Sequence, residues 1–366
     1  MKLKYILGLL GLMFVSCKPE QNTEKKFMPS NARFEYKGRV AMHDNGDRAL
    51  VGSASSVAFG VKGDSVTVYL KSQFRPRNYV VITIDGEYQE RYTIKGDSVN
   101  KMVLKLDGKE SHYIEIFKAT EAASGEVIFK GIEAEALLPI ENKASLSIEF
   151  IGDSITCGAL ADNSGIPCHE GEYIDQHNAY LAYGPRVARA LNADFVLSSV
   201  SGMGMYRNWN DENIDEPIMP QVYENLYLNR DASKPYDFSF QPDLVSICLG
   251  TNDMSSGDGV KERLPFNAEK FTDNYINFVK MIYGHYPNTK IALLNSPMIQ
   301  GENNEVLVNC LEKVQSYFKE NMQKEIAVFQ FDTLYVNGCN YHPSVEENEI
   351  MAQQLVPFYQ EILNKN

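Results

Sequence analysis

The sequence has no Cys-x-x-Cys pair among its 6 cysteines, so a thiolate zinc site lacks the spacing it needs. Positive charge is scarce: 35 Lys and Arg face 48 Asp and Glu, a formal net charge of −13. Nucleic-acid binding leans on Lys and Arg neutralising phosphates, so this balance argues against a polyanionic partner and suits a neutral substrate. The apolar stretch from Tyr5 to Val15 is too short to span a bilayer, and no second candidate follows it. Internal repeats and low-complexity tracts are also missing. What remains is an ordinary globular composition, 44% hydrophobic and 23% charged, in a chain long enough for two domains.

The opening residues "MKLKYILGLLGLMFVSC" carry two lysines, the apolar stretch and a small residue before Cys17. That is the layout of a secretory signal, residues 1–17, ending in a lipobox-like Phe-Val-Ser-Cys in which Cys17 takes the lipid. The chain is therefore expected in a bacterial cell envelope, with that lipid as its only membrane attachment. Polar residues 18–32 read as a tether. With Cys17 lipidated, Cys157, Cys168, Cys248, Cys310 and Cys339 are odd in number, so at least one thiol stays unpaired. The sequence assigns no disulfide among them.

Residues 33–140 consist of short runs with period-two alternation or β-branched enrichment, such as "SVTVYL", "YVVITID", "HYIEIFKA" and "EVIFKGIEAEALL", between Gly, Asp and Asn turns. This is the pattern of an all-β sandwich. Over residues 141–366 the rhythm changes to apolar strands, "LSIEFIG", "DFVLSSVSG", "PDLVSICLG", "KIALLNSP" and "IAVFQFDT", alternating with amphipathic helices. That alternation predicts a layered α/β domain with a parallel sheet, in which ligands bind beyond the carboxyl ends of the strands. Residues 206–238 are too long for a plain connection and are expected to shape the substrate site.

Ser154 follows "LSIEFIG" with Gly152 and Asp153 before it. Thr156 stands where a G-x-S-x-G elbow needs its second glycine, so this is a different motif. Taken alone, Ser154 reads equally as a nucleophile or as the polar start of a helix. The next strand ends in "SVSGMG", where Gly202 can turn its N–H into a cleft with no side chain in the way. The third ends in "CLGTND", where the Asn252 amide can donate; Asp253 beside it reads as a brace for the loop. With the Ser154 N–H these make three donors for the oxyanion of an acyl transfer. The segment "NGCNYHPS" sets His342 in a loop before the last helix, where it could take a serine proton near neutral pH. His43, His112, His169, His177 and His285 read as packing or surface residues. Of these only His169 and His177, flanking an acidic loop, invite a metal, and the chemistry requires neither metal nor cofactor.

The blocks "GDSITCG", "SGMG", "GTND" and "YHPS" resemble the four blocks of the SGNH hydrolase superfamily, with Ser154, Gly202, Asn252 and His342 at its Ser, Gly, Asn and His. "GDSITCG", "NAYLAYGPRVARALNADFVLSSVSGMGMY" and "GCNYHPS" are similar, more specifically, to carbohydrate esterase family 2, as are "FEYKGRV", "VITIDGE" and "HYIEIFKATEA" nearer the N-terminus. The resemblance implies a β-jelly-roll domain ahead of a three-layer SGNH hydrolase with a flavodoxin-like parallel sheet, the two sharing one cleft. It also implies an acetyl xylan esterase-like deacetylation of plant polysaccharides or oligosaccharides.

One position departs from that pattern. The superfamily's Asp three residues before the histidine is Cys339 here, and a thiol is a poor substitute for a carboxylate that orients imidazole. The resemblance to family 2 implies instead a Ser–His dyad oriented by a backbone carbonyl, expected near Asn337–Asn340, with Asp332 as the fallback. Ser154 would attack the acetyl carbonyl while His342 moves the proton, and water would release acetate from an acetyl-enzyme. Tyr206 and the only tryptophan, Trp209, are expected to pack on sugar faces. A glycan-binding surface lipoprotein with little catalysis and an SGNH lipase or thioesterase remain as alternatives. The polar, acidic "NWNDENIDEP" fits a carbohydrate ester better than a greasy acyl chain.

Overall fold

The computed structural model describes residues 24–96, 98–141 and 144–364. The expected export signal, Cys17 and the first part of the tether lie outside the described residues. Among these residues the N-terminal half forms two antiparallel sheets of six strands each. In one, Val127–Ala134 pairs with Ser65–Ser72, Arg48–Leu50 and Lys25–Phe27. In the other, His112–Lys118 lies between Ser56–Lys62 and Arg77–Ile84. The β-branched and aromatic residues of the alternating runs meet between the sheets: Val57, Phe59, Val68, Ile82, Ile114, Ile116 and Phe129 are fully buried there. The sandwich expected from the alternation is present.

Two boundaries differ from the sequence reading. Lys25–Phe27 falls in the expected tether, yet it is a strand whose Phe27 packs on the sandwich core. The open edge of Val127–Ala134 supplies backbone partners that polar side chains do not reveal. The run "EVIFKGIEAEALL" also divides, with Val127–Ala134 in one sheet and Ala136–Leu138 in the other.

The C-terminal half contains a five-stranded parallel sheet, ordered Ala193–Ser199, Leu146–Gly152, Leu244–Cys248, Lys290–Leu294, Ile326–Phe329. This is the doubly wound order with its switch point beside the first strand, where such folds bind ligands. Helices Ala268–His285 and Gly301–Met322 cover one face, and Tyr183–Ala190 and Val345–Asn364 cover the other. Both cores continue into the sandwich: Ala41, Ala49 and Val51 join the first, Tyr79, Val81 and Phe117 the second.

The sandwich docks along the edge strand Ala193–Ser199. Arg39, fully buried, donates from Nε and Nη2 to Ser198 Oγ at 3.1 Å, from Nη2 to the Tyr223 carbonyl at 2.9 Å and from Nη1 to the Asn225 carbonyl at 2.8 Å. Its guanidinium lies 4.1 Å over the Tyr236 ring. Ser198 Oγ and Tyr223 OH donate in turn to the buried Glu149, whose carboxyl burial pushes up and Arg39 pulls down. The long stretch 206–238 thus serves mainly as packing: Tyr206, Met219, Val222, Tyr223 and Leu228 are buried in the core, while Trp209 and Ile214 are exposed. The main exposed parts of the stretch are the segment around Trp209 and residues 229–235. Arg39→Ala removes the cation facing Glu149 and leaves three acceptors without their donor. It should cost roughly 3–5 kcal/mol of stability in urea unfolding, and a cost under about 1 kcal/mol would show that the interface does not depend on it.

Candidate active site

Parallel register brings three strand ends together, since Gly152 pairs with Ser199 on one side and with Cys248 on the other. Ser154, Gly202 and Asn252 each lie two to four residues beyond those ends, so their turns emerge at one edge of the sheet. Ser154 opens a single helical turn, Ser154–Cys157, but is not its cap: Asp153 Oδ1 accepts the Ile155 N–H at 3.0 Å. Of the two readings of Ser154, the cap role belongs to its neighbour. Gly202 has φ of 77°, a conformation that favours glycine. Among the described residues neither its N–H nor that of Ser154 has an acceptor.

Asp253 braces the glycine turn as expected, its carboxylate accepting the N–H groups of Met205, Tyr206 and Arg207 at 2.8–3.2 Å. Burial lifts its pKa to about 6 against those bonds. Asn252 behaves differently from the free donor the sequence suggested. Its Nδ2 donates to Asp153 Oδ2 at 3.1 Å and to the Met203 carbonyl at 2.9 Å, so both amide hydrogens are engaged and the amide ties two turns together.

His342 reaches Ser154: Nε2 stands 2.9 Å from the hydroxyl oxygen, and Nδ1 stands 3.1 Å from the Asn340 carbonyl. A carbonyl only accepts, so Nδ1 carries the proton and Nε2 is left to accept from the serine hydroxyl. Asp332 is exposed, and His342 makes no bond to it. Cys339 is not the thiol the sequence suggested. It is bonded to Cys168 across 171 residues of chain, while Cys157, Cys248 and Cys310 are free and buried.

The loop bearing His342 is fixed from several sides. Gly338 N–H donates to the His342 carbonyl at 2.7 Å, and a side chain on Gly338 would stand 2.8 Å from that oxygen. Cys339 N–H donates to the Leu160 carbonyl at 2.9 Å. Glu347 accepts the N–H groups of Val336, Asn337 and Ser344 at 2.8–3.2 Å, and its own N–H donates to Ser344 Oγ at 3.2 Å. Glu347 escaped the sequence reading, although Ser344-x-x-Glu347 has the spacing of a capping box.

The two aromatic residues expected at the substrate differ. Tyr206 is 2% exposed, and its hydroxyl accepts the Asn267 N–H at 3.0 Å, so it is a core residue drawn inward by the apolar wall formed by Phe266 and Phe271. Trp209 is 48% exposed, and its backbone N–H donates to the Gly202 carbonyl at 2.8 Å, which ties its main chain to the glycine turn. Tyr341, next to His342, is 78% exposed. Of the paired histidines, His169 is exposed and His177 is buried at the domain interface. Clefts of about 680 and 650 Å³ around Asp194 and Phe195 include none of the four motif residues.

A parallel layered fold with a serine and a histidine in contact at the carboxyl end of its sheet, joined to an antiparallel sandwich, is the architecture of a two-domain SGNH ester hydrolase. The chain belongs to the GDSL-like lipase/acylhydrolase family, whose model matches residues 150–340, and is a carboxylic ester hydrolase. Residues 36–140 match the carbohydrate esterase 2 N-terminal model. The chain is similar, at 26% identity over 379 residues and 99% of each chain, to an acetylxylan esterase/glucomannan deacetylase of Cellvibrio japonicus. Among solved structures it is similar to a family two carbohydrate esterase from Clostridium thermocellum in complex with cellohexaose, with a TM-score of 0.80 and 25% identity, covering 90% of this chain and 99% of that one. A family two carbohydrate esterase from Cellvibrio japonicus shares the fold at a TM-score of 0.82 and 22% identity, covering 93% and 98% of the two chains.

Burial pushes the His342 imidazole below its usual range, with the carbonyls of Asn340 and Cys339 pulling back. A lowered pKa keeps the ring neutral further into acid, so the acid limb of kcat/KM should lie below the ordinary imidazole value of about 6.5. A pH profile on 4-nitrophenyl acetate checks this, and a limb above that value contradicts it. Cys168→Ser should release the loop that carries the Asn340 carbonyl and lower kcat roughly 10- to 100-fold. Reductant should do the same to the native protein and nothing further to the variant.

Proposed function

We propose that the protein removes O-acetyl groups from plant polysaccharides or oligosaccharides through an acetyl-Ser154 intermediate. The observation that carries this reading is the 2.9 Å approach of His342 Nε2 to Ser154 Oγ with Nδ1 held by a carbonyl. The hydroxyl oxygen attacks the acetyl carbonyl while Nε2 takes its proton, and the backbone N–H groups of Ser154 and Gly202 receive the oxyanion. Asn252 enters as a third donor by exchanging one of its two present acceptors for the oxyanion. His342 then returns the proton to the leaving sugar oxygen. Water, deprotonated by the same ring, attacks the acetyl group, and Ser154 recovers its proton as acetate leaves.

The carbohydrate half of the reading draws on the acetylxylan esterase/glucomannan deacetylase of Cellvibrio japonicus and on the cellohexaose complex of the Clostridium thermocellum enzyme. In this chain Trp209, bonded through its backbone N–H to the Gly202 carbonyl, and Tyr341, next to His342 in sequence, are exposed, and aromatic faces suit the apolar faces of sugar rings. An export signal over residues 1–17 and a lipid on Cys17 would hold the activity at the cell envelope.

Acetate release from acetylated xylan, acetylated glucomannan and 4-nitrophenyl acetate tests the reading. Ser154→Ala and His342→Ala should each lower kcat on all three by on the order of 10³-fold or more. Wild-type rates in Ser154→Ala would remove the nucleophile assignment, and faster cleavage of a 4-nitrophenyl octanoate than of the acetate would favour a lipase.

A further inference from the structure

A carboxylate of the sandwich reaches the hydrolase domain beside the glycine turn. Glu121 lies just after the sandwich strand His112–Lys118 and is 3% exposed. Its Oε2 accepts the backbone N–H of Ser201 at 2.7 Å, one residue before Gly202, and stands 3.7 Å from the Cys157 thiol, in the helical turn that begins at Ser154. One side chain of the first domain therefore touches both turns whose N–H groups face the reaction.

The loop that delivers it is anchored on both sides. Lys118 Nζ donates to the carbonyls of Thr120, at 3.2 Å, and Glu121, curling the chain back on itself. Asn78 Nδ2 donates to the Ser124 carbonyl at 2.9 Å, and Ala179 N–H of the hydrolase domain donates to the Ala119 carbonyl at 2.9 Å. The nearest basic ring does not engage the carboxylate: His177 Nε2 stands 3.8 Å from Oε1, and neither ring nitrogen has a hydrogen-bond partner among the described residues. Burial lowers the His177 pKa to about 3 and raises that of Glu121, so this is not an ion pair. Burying a carboxyl group is costly unless its bonds are well made, and the shortest bond of this one goes to the glycine turn.

We infer that Glu121 is a positioning residue for the ester hydrolysis, holding the Ser201–Gly202 turn against the Ser154 turn so that their two N–H groups converge on one oxyanion. The inference rests on the assignment of those N–H groups under the proposed function. It makes the sandwich part of the catalytic apparatus. What matters is the reach of an acceptor oxygen to the Ser201 N–H, not the charge it bears.

Glu121→Gln, Glu121→Asp and Glu121→Ala, made in the full chain and assayed on 4-nitrophenyl acetate, separate reach from charge. Gln keeps the length and an acceptor oxygen and should retain most of the wild-type kcat. Asp keeps the charge but is one methylene short, and it should lose kcat roughly 10- to 100-fold, as should Ala, with KM changed less than about twofold. Equal losses in Gln and Asp, a wild-type kcat in Asp, or a loss expressed mainly in KM would overturn the inference. Because the assay ester is generic, cleavage of 4-nitrophenyl acetate without acetate release from xylan or glucomannan would defeat the carbohydrate proposal while the Gln-to-Asp comparison still decides on Glu121.

Discussion

A neutral imidazole engaged on both sides, Nδ1 with the Asn340 carbonyl and Nε2 with the Ser154 hydroxyl, is the constraint that the rest of the hydrolase domain serves. A carbonyl selects the tautomer as well as a carboxylate does, but it carries no full charge to stabilise an imidazolium or to pull the ring into place. Orientation must then come from the rigidity of the chain that presents the carbonyl. Asn340 and Tyr341 have φ of 47° and 61°, a left-handed pair that persists only where the surroundings over-determine it. The Cys168–Cys339 bond on one side and the Glu347 carboxylate on the other supply that over-determination. In this chain Cys339, at the position where the resemblance implies a carboxylate, contributes a covalent anchor.

The second constraint is the join between the halves. The edge strand Ala193–Ser199 would present unpaired backbone and apolar side chains to water if the sandwich were removed. Arg39 and Glu149 take that surface further from a simple apolar contact, because two buried ionisable groups linked through Ser198 and Tyr223 fix a single relative placement of the halves. Interfaces between independent domains are usually more polar at the rim and tolerate movement. Here both apolar cores run through the boundary, so the loop carrying Glu121 arrives at the glycine turn in one position.

The four motif blocks were legible because strand ends followed by Gly, Ser, Asn or His carry side-chain signals at fixed places in an alternating pattern. The sandwich was legible for the same reason: period two survives wherever one face is buried. What escaped were features made by backbone or by long-range pairing. The Asn340 carbonyl has no side-chain signature, although the right segment was expected. The partner of Cys339 is 171 residues away, and no local rule links the two. Tyr206 and Trp209 sit three residues apart in one polar-looking loop, yet one faces the phenylalanines of the core and the other faces solvent. Lys25–Phe27 reads as tether because an edge strand gains its order from the neighbour it pairs with.

Asn252 shows how such a site stays satisfied at rest. An amide aimed at an empty, buried oxyanion position would leave a donor unpaired, at a cost of about 1–3 kcal/mol. Its two acceptors remove that cost, one being the neutral Met203 carbonyl and the other Asp153, whose pKa burial raises to about 7. Charge-assisted hydrogen bonds are roughly twice as strong as neutral ones. On the proposed mechanism, the fully charged oxyanion can therefore take the hydrogen now held by the neutral Met203 carbonyl. That exchange would be favourable only while the negative charge exists, so the third donor would act on the transition state and not on the bound ester.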